Sequence, residues 1–140
     1  LYVARSLDGA FVEVFLRNPG PYRSISLEAI DQRVLSVIEA DRTLRLVDLV
    51  GLGQPRMGVD NRLATGSYTV AQKWSRAFHD HPDEPDGILY TSRHHPRQLL
   101  AAIYSRAADV LSTTPLGTLR QHLNEDEMYA LFQRYGLGEL

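Results

Sequence analysis

The residues best equipped for chemistry lie in one short stretch, Ser92-Arg93-His94-His95. A hydroxyl, a guanidinium and two imidazoles follow one another there. Upstream runs Asp86-Gly87-Ile88-Leu89-Tyr90-Thr91, which reads as a turn and then a buried strand, and Pro96 closes the stretch. Ile88, Tyr90 and Ser92 fall on one strand face, Leu89 and Thr91 on the other. The polar cluster therefore sits where a core strand feeds a loop, a common place to build a site. Local pattern alone still favours a polar surface loop. Five histidines raise the question of a metal, but His79 and His81 are two apart and His94 and His95 are adjacent. Neither pair has the i, i+4 spacing of a zinc-binding helix, and nothing shows three ligands converging, so no metal site is expected. There is no G-x-S-x-G elbow of a serine hydrolase. Gly51-Leu52-Gly53-Gln54-Pro55 lacks the GK[ST] ending of a P-loop.

The elements that must position these groups follow from periodicity. Leu1 to Ala4 reads as a short strand. Ser6 caps a helix with Asp8 in its first turn, and Leu7, Ala10, Phe11, Val14 and Phe15 form its apolar face. Glu13 lies off that face near its border, and pattern alone reads it as a solvated carboxylate. Asn18-Pro19-Gly20-Pro21 ends the helix, and residues 22–32 are irregular or carry a helical turn at Leu27 to Ile30. Arg33 to Ala40 and Leu44 to Val50 read as strands joined in a hairpin through Asp41-Arg42. Asp48 is either a buried polar group with a partner or an edge residue. Residues 54–66 read as a loop with a helical turn near Asn61 to Ala64. Ser67 then caps a helix striped by Val70, Ala71, Trp74, Ala77 and Phe78, ending at His79-Asp80-His81-Pro82. Leu99 to Tyr104 is a further strand, Ala108 to Leu111 a short candidate, and Ser112 to Gly117 a loop. Asn124 and Glu127 mark a capping box for a last helix over 124–135, with Gly136 placed to stop it.

Composition narrows the classes. At 140 residues the chain has room for one domain with a real core, and one domain over 1–140 is expected. A net charge of −2, without a basic stripe, argues against direct nucleic-acid binding. No apolar run is long enough to span a bilayer, no signal peptide is visible and there is no cysteine, which fits a cytoplasmic protein. Of the 15 basic residues only Lys73 is a lysine. The arginine excess reflects either base composition or forks that bind phosphate, and composition does not separate the two. The chain opens at Leu1 within an apolar run, so further residues are expected upstream.

Three segments together resemble the RES-domain family, named for an Arg, a Glu and a Ser. Leu1-Tyr2-Val3-Ala4-Arg5-Ser6 through Ala10-Phe11-Val12-Glu13 is similar to the family's LY strand and following helix, and places the family Glu at Glu13. Gln72-Lys73-Trp74 resembles its Gln-x-Trp helix. Asp86-Gly87-Ile88-Leu89-Tyr90-Thr91-Ser92-Arg93 resembles its DG-to-SR strand, and places the family Ser at Ser92. The family Arg precedes the LY strand, so it is expected before Leu1 and is not assigned to Arg5.

The resemblance implies an α+β fold like that of ADP-ribosyltransferases, a mixed bent sheet with flanking helices around an NAD cleft. It implies a toxin that splits the nicotinamide–ribose bond of NAD+, with water or phosphate as acceptor. NAD+ would be substrate, and no cofactor is expected. The implied partner is a helix-turn-helix, Xre-type antitoxin. Glu13 and Ser92 would be catalytic, Glu13 stabilising an oxocarbenium-like transition state and Ser92 bonding the nicotinamide ribose or amide. Tyr2 would stack on the nicotinamide ring or orient it, and Arg93 would contact the pyrophosphate together with the family Arg expected upstream. The alternatives are transfer of ADP-ribose to a protein and a silent nucleotide- or protein-binding module. Oligomeric state stays open, a homo-oligomer included.

Overall fold

Alternating apolar residues from four strands build one mixed sheet, and every candidate site residue lies on this sheet, on the helix that follows its first strand or in the connection between its two central strands. The computed structural model describes residues 1–17, 23–60, 63 and 67–139. They form an α+β chain of two compact units, Leu1–Glu13 with Ala40–Leu111, and Val14–Glu39 with Ser112–Leu140. The first unit holds the sheet, in the order β1-β6-β5-β4. Here β1 is Tyr2–Ala4, β4 Leu46–Asp48, β5 Gly87–Thr91 and β6 Leu99–Ile103. β6 runs antiparallel to both β1 and β5, while β4 runs parallel to β5.

The register sorts the side chains. Tyr2, Ala102, Ile88 and Val47 lie in one row across the sheet, and Ala4, Leu100 and Tyr90 lie in the next row on the same face. That face packs Ile88 with Leu49, Leu63 and Phe78, and Val47, Trp74, Tyr90 and Tyr104 join them partly buried. Phe78 and Trp74 come from the helix Tyr68–His79, whose first turn is capped by Ser67 accepting from the Val70 amide at 3.4 Å. Their rings meet with centroids 5.5 Å apart. Val70, expected on the buried stripe, is exposed. The opposite sheet face packs Ala101 and Ile103 against Ala107 of a 3-10 helix, Ser105–Val110.

One buried carboxylate ties the sheet together. Asp86 takes two guanidinium hydrogen bonds from Arg42, each 2.8 Å, and one from the Arg45 amide at 2.8 Å. The Arg42 fork, then the Arg45 amide, hold its carboxyl well below the usual carboxylate range. The Asp86-Gly87 pair is therefore not the expected turn. Asp86 is a bend residue directly before β5, its amide donating to the Arg45 carbonyl and its carbonyl accepting from the Tyr104 amide. The tight turn comes earlier, at Pro82-Asp83. Gly87 is required by a close approach: a Cβ there would lie 2.3 Å from the Ala102 carbonyl oxygen and 3.0 Å from Ile103 Cα. Both are backbone atoms of β6 and have little freedom to retreat. Gly87→Ala is expected to cost about 3 kcal/mol through overpacking, measured by urea denaturation.

The expected hairpin through Asp41-Arg42 does not form. β3 (Val34–Ala40) pairs with β7 (Leu111–Thr118), and β4 pairs with β5. The two residues lack the glycine that a two-residue hairpin turn favours, and Arg42 is committed to Asp86. Ser112 to Gly117, read as a loop, belongs to β7, and Ala108 to Val110 is 3-10 helix rather than strand. Pro115 is tolerated because, among the described residues, β7 pairs with one strand, β3, and so is an edge. Asp48 resolves to the edge: it lies on the outer strand β4, exposed, and accepts from the Val50 amide at 2.7 Å.

The second unit also pairs β2 (Ser24–Ile25) with β8 (Gly138–Glu139), in parallel. The helical turn read at Leu27 to Ile30 is the helix Leu27–Asp31, capped by Ser26. The last helix spans Glu125–Tyr135 with the expected capping box between Asn124 and Glu127, and Gly136 ends it at φ 60°. The Asn18 to Pro21 helix stop lies outside the described residues, as does most of the turn near Asn61 to Ala64. Gly53–Arg56, which overlaps the start of the loop expected over 54–66, is a short helix.

Candidate active site

The helix that carries Glu13 starts where β1 ends. Ser6 caps this helix, Leu7–Phe15, by accepting from the Gly9 amide at 3.1 Å, and its hydroxyl donates to Gln98 Oε1 at 2.5 Å. Gly9 lets the first turn approach β1 closely, since a Cβ there would sit 3.0 Å from Ala4 Cβ. The buried face differs from the expected stripe. Gly9, Phe11 and Val12 are buried and Val14 is exposed. This places the buried side next to Glu13, which is half-buried rather than solvated.

Ser6 and Glu13 are seven residues apart, close to two helical turns, so they share a side of the helix. That side meets the connection between β5 and β6 at two points. Ser6 holds Gln98, and Glu13 Oε1 accepts from the Ser92 hydroxyl at 2.6 Å. The connection is itself closed by the Ser92 amide donating to the Gln98 carbonyl at 2.9 Å. Ser92 is 3% exposed. Its Oγ also accepts from the His94 and His95 amides, each at 3.1 Å. The two imidazoles therefore contribute to Ser92 through their backbone rather than their rings.

Glu13 and Ser92, assigned from the resemblance, are thus in direct contact across 79 positions of chain. Tyr2 shares their side of the sheet but is 77% exposed, a strand tyrosine outside the core. Arg93 is exposed, directly after Ser92. A further residue belongs with this group. Tyr90 lies on β5, two places before Ser92, and is half-buried. Its phenol is pushed up to about 12, first by burial and then by the Glu13 carboxylate and Tyr2. Period-two alternation had placed it on the Ser92 face, and that was the available signal for it. Among the described residues no group of three or more His, Cys, Asp or Glu is placed to hold a metal.

The family model of the RES domain matches residues 1–124, which cover the sheet, the Glu13 helix and the Ser92 connection. The chain belongs to the RES domain family. This RES domain is 29% identical over 102 residues to a protein of Sinorhizobium fredii (strain NBRC 101917 / NGR234) described as probable toxin y4kH; the match covers 72% of this chain and 80% of that one. No solved structure matches. Among the described residues no helix is long and apolar enough to cross a membrane.

Proposed function

We propose that this RES domain is an NAD+-consuming toxin with an ADP-ribosyltransferase-like cleft, which breaks the nicotinamide–ribose bond and is held in check by a cognate helix-turn-helix antitoxin. The observation that carries this reading is the 2.6 Å hydrogen bond between Ser92 and Glu13, which fixes one carboxylate beside a sheet face bearing two tyrosines. The probable-toxin description of the Sinorhizobium relative supports the biological role.

The chemistry suits a single carboxylate. Nicotinamide in NAD+ already carries the positive charge, so it departs as a neutral molecule and needs no general acid. Charge then develops on the ribose as an oxocarbenium-like transition state. A fixed anion aimed at the ribose stabilises that charge more than it stabilises the ground state. Glu13 supplies this anion. Ser92 engages Oε1 and leaves Oε2 for the substrate. Tyr2 offers an exposed ring for the nicotinamide, and Arg93 a guanidinium for the pyrophosphate.

The test is NAD+ consumption by the full chain, with products separated by chromatography, in buffers with and without phosphate. Free nicotinamide with ADP-ribose is expected from a hydrolase, and a phosphate-dependent phosphorylated product from a phosphorylase. An absence of turnover in both buffers overturns the proposal.

A further inference from the structure

The Ser92 hydroxyl has no capacity left for a substrate. A serine hydroxyl offers one proton and two lone pairs. Here the proton goes to Glu13, and the lone pairs face the His94 and His95 amides. Engaging a ribose would break one of these bonds inside a site where Ser92 is 3% exposed. Tyr90 is the opposite case. Its ring packs against the Leu49, Phe78 and Ile88 cluster, while its hydroxyl makes no hydrogen bond among the described residues. It stands two residues before Ser92, in the row of Leu100 and Ala4.

We infer that the Tyr90 hydroxyl is the side-chain group of β5 that contacts the bound dinucleotide beside Glu13, and that Ser92 is a positioning residue acting only through Glu13. This rests on the reading of the site as one that takes NAD+. Burial keeps the phenol protonated well above neutral pH, so it is a permanent donor there. The hydroxyl meets a ribose or carboxamide oxygen of the substrate, and the ring stays in the core.

The experiment is steady-state NAD+ cleavage by full-length wild type, Tyr90→Phe and Ser92→Ala, with thermal midpoints measured alongside. Tyr90→Phe keeps the ring and is expected to raise KM for NAD+ about 10-fold with an unchanged midpoint, the loss expected for one ligand hydrogen bond. Ser92→Ala is expected to lower kcat and leave KM in place, because it frees the carboxylate without removing a substrate contact. A Tyr90→Phe enzyme with wild-type KM overturns the inference while leaving the NAD+ reading intact. So does a Ser92→Ala enzyme in which KM rises and kcat holds. A wild-type protein that neither binds nor consumes NAD+ overturns both. If Ser92→Ala fails to fold, the Tyr90→Phe comparison alone decides.

Discussion

Glu13→Gln is expected to lower NAD+ turnover about 10³-fold while moving the thermal midpoint by no more than about 2 °C. The amide keeps a carbonyl oxygen that can accept from Ser92, so the clasp between the helix and the β5–β6 connection survives. What disappears is the negative charge. In a transition state whose ribose turns cationic, loss of that charge raises the barrier by about 4 kcal/mol, which is the expected factor in rate. Single-turnover assays at saturating NAD+ with parallel calorimetry separate the two quantities. Turnover near the wild-type rate in Glu13→Gln refutes the assignment, and so does a lost rate that is explained by unfolding.

Asp86→Asn is expected to destabilise the fold by roughly 3 kcal/mol, or about 10 °C in midpoint. The substitution removes the charge and turns one of the two oxygens that accept the Arg42 fork and the Arg45 amide into an NH2 donor, so at least one of these three bonds is lost. Half of the Arg42 side chain is exposed, so solvent screens part of the pair and keeps the cost toward the lower end for a buried ion pair. The pH dependence follows from the sign of the shift. The folded protein holds Asp86 ionised to lower pH than the unfolded chain does, so the stabilisation is fully present above the unfolded value near 4 and fades as pH falls below it. The gap in stability between wild type and Asp86→Asn is therefore expected to be constant from pH 7 to about 5 and to narrow in stronger acid. Urea titrations of both proteins across that range check it; a gap that widens in acid contradicts the clamp.

The parts of the fold that were legible are those whose chemistry is local. Ser6, Ser67 and Asn124 each announce a helix start because a cap is formed by residues within three positions. The alternation of Ile88, Tyr90 and Ser92 predicted a shared strand face, and the register bears this out for Ile88 and Tyr90, whose partners Ala102 and Leu100 stand two apart on β6. Strand partners were not legible. β3 meets β7 rather than its sequence neighbour β4, because pairing is settled by packing between distant segments rather than by the two residues that join them. The face of the first helix is legible in part: Phe11 is buried and Leu7, Ala10 and Phe15 half-buried as expected, while Val12 and Val14 exchange places. Val12 is buried and Val14 exposed because Gly9 draws that helix onto Ala4, a contact that periodicity does not encode.

The sequence by itself determined which groups were on hand for a site, a carboxylate on a helix border and a hydroxyl at the exit of a core strand, together with the family resemblance that joined them. The tertiary structure alone decided their relation. It brought Glu13 within 2.6 Å of Ser92, filled the remaining valences of Ser92 with two backbone amides, and left the Tyr90 hydroxyl without a hydrogen bond among the described residues. It also gave Asp86, which reads as a turn residue, the Arg42 fork from 44 positions away. A hydrogen bond depends on distances of tenths of an ångström and on angle, and across such separations only the packed chain sets them.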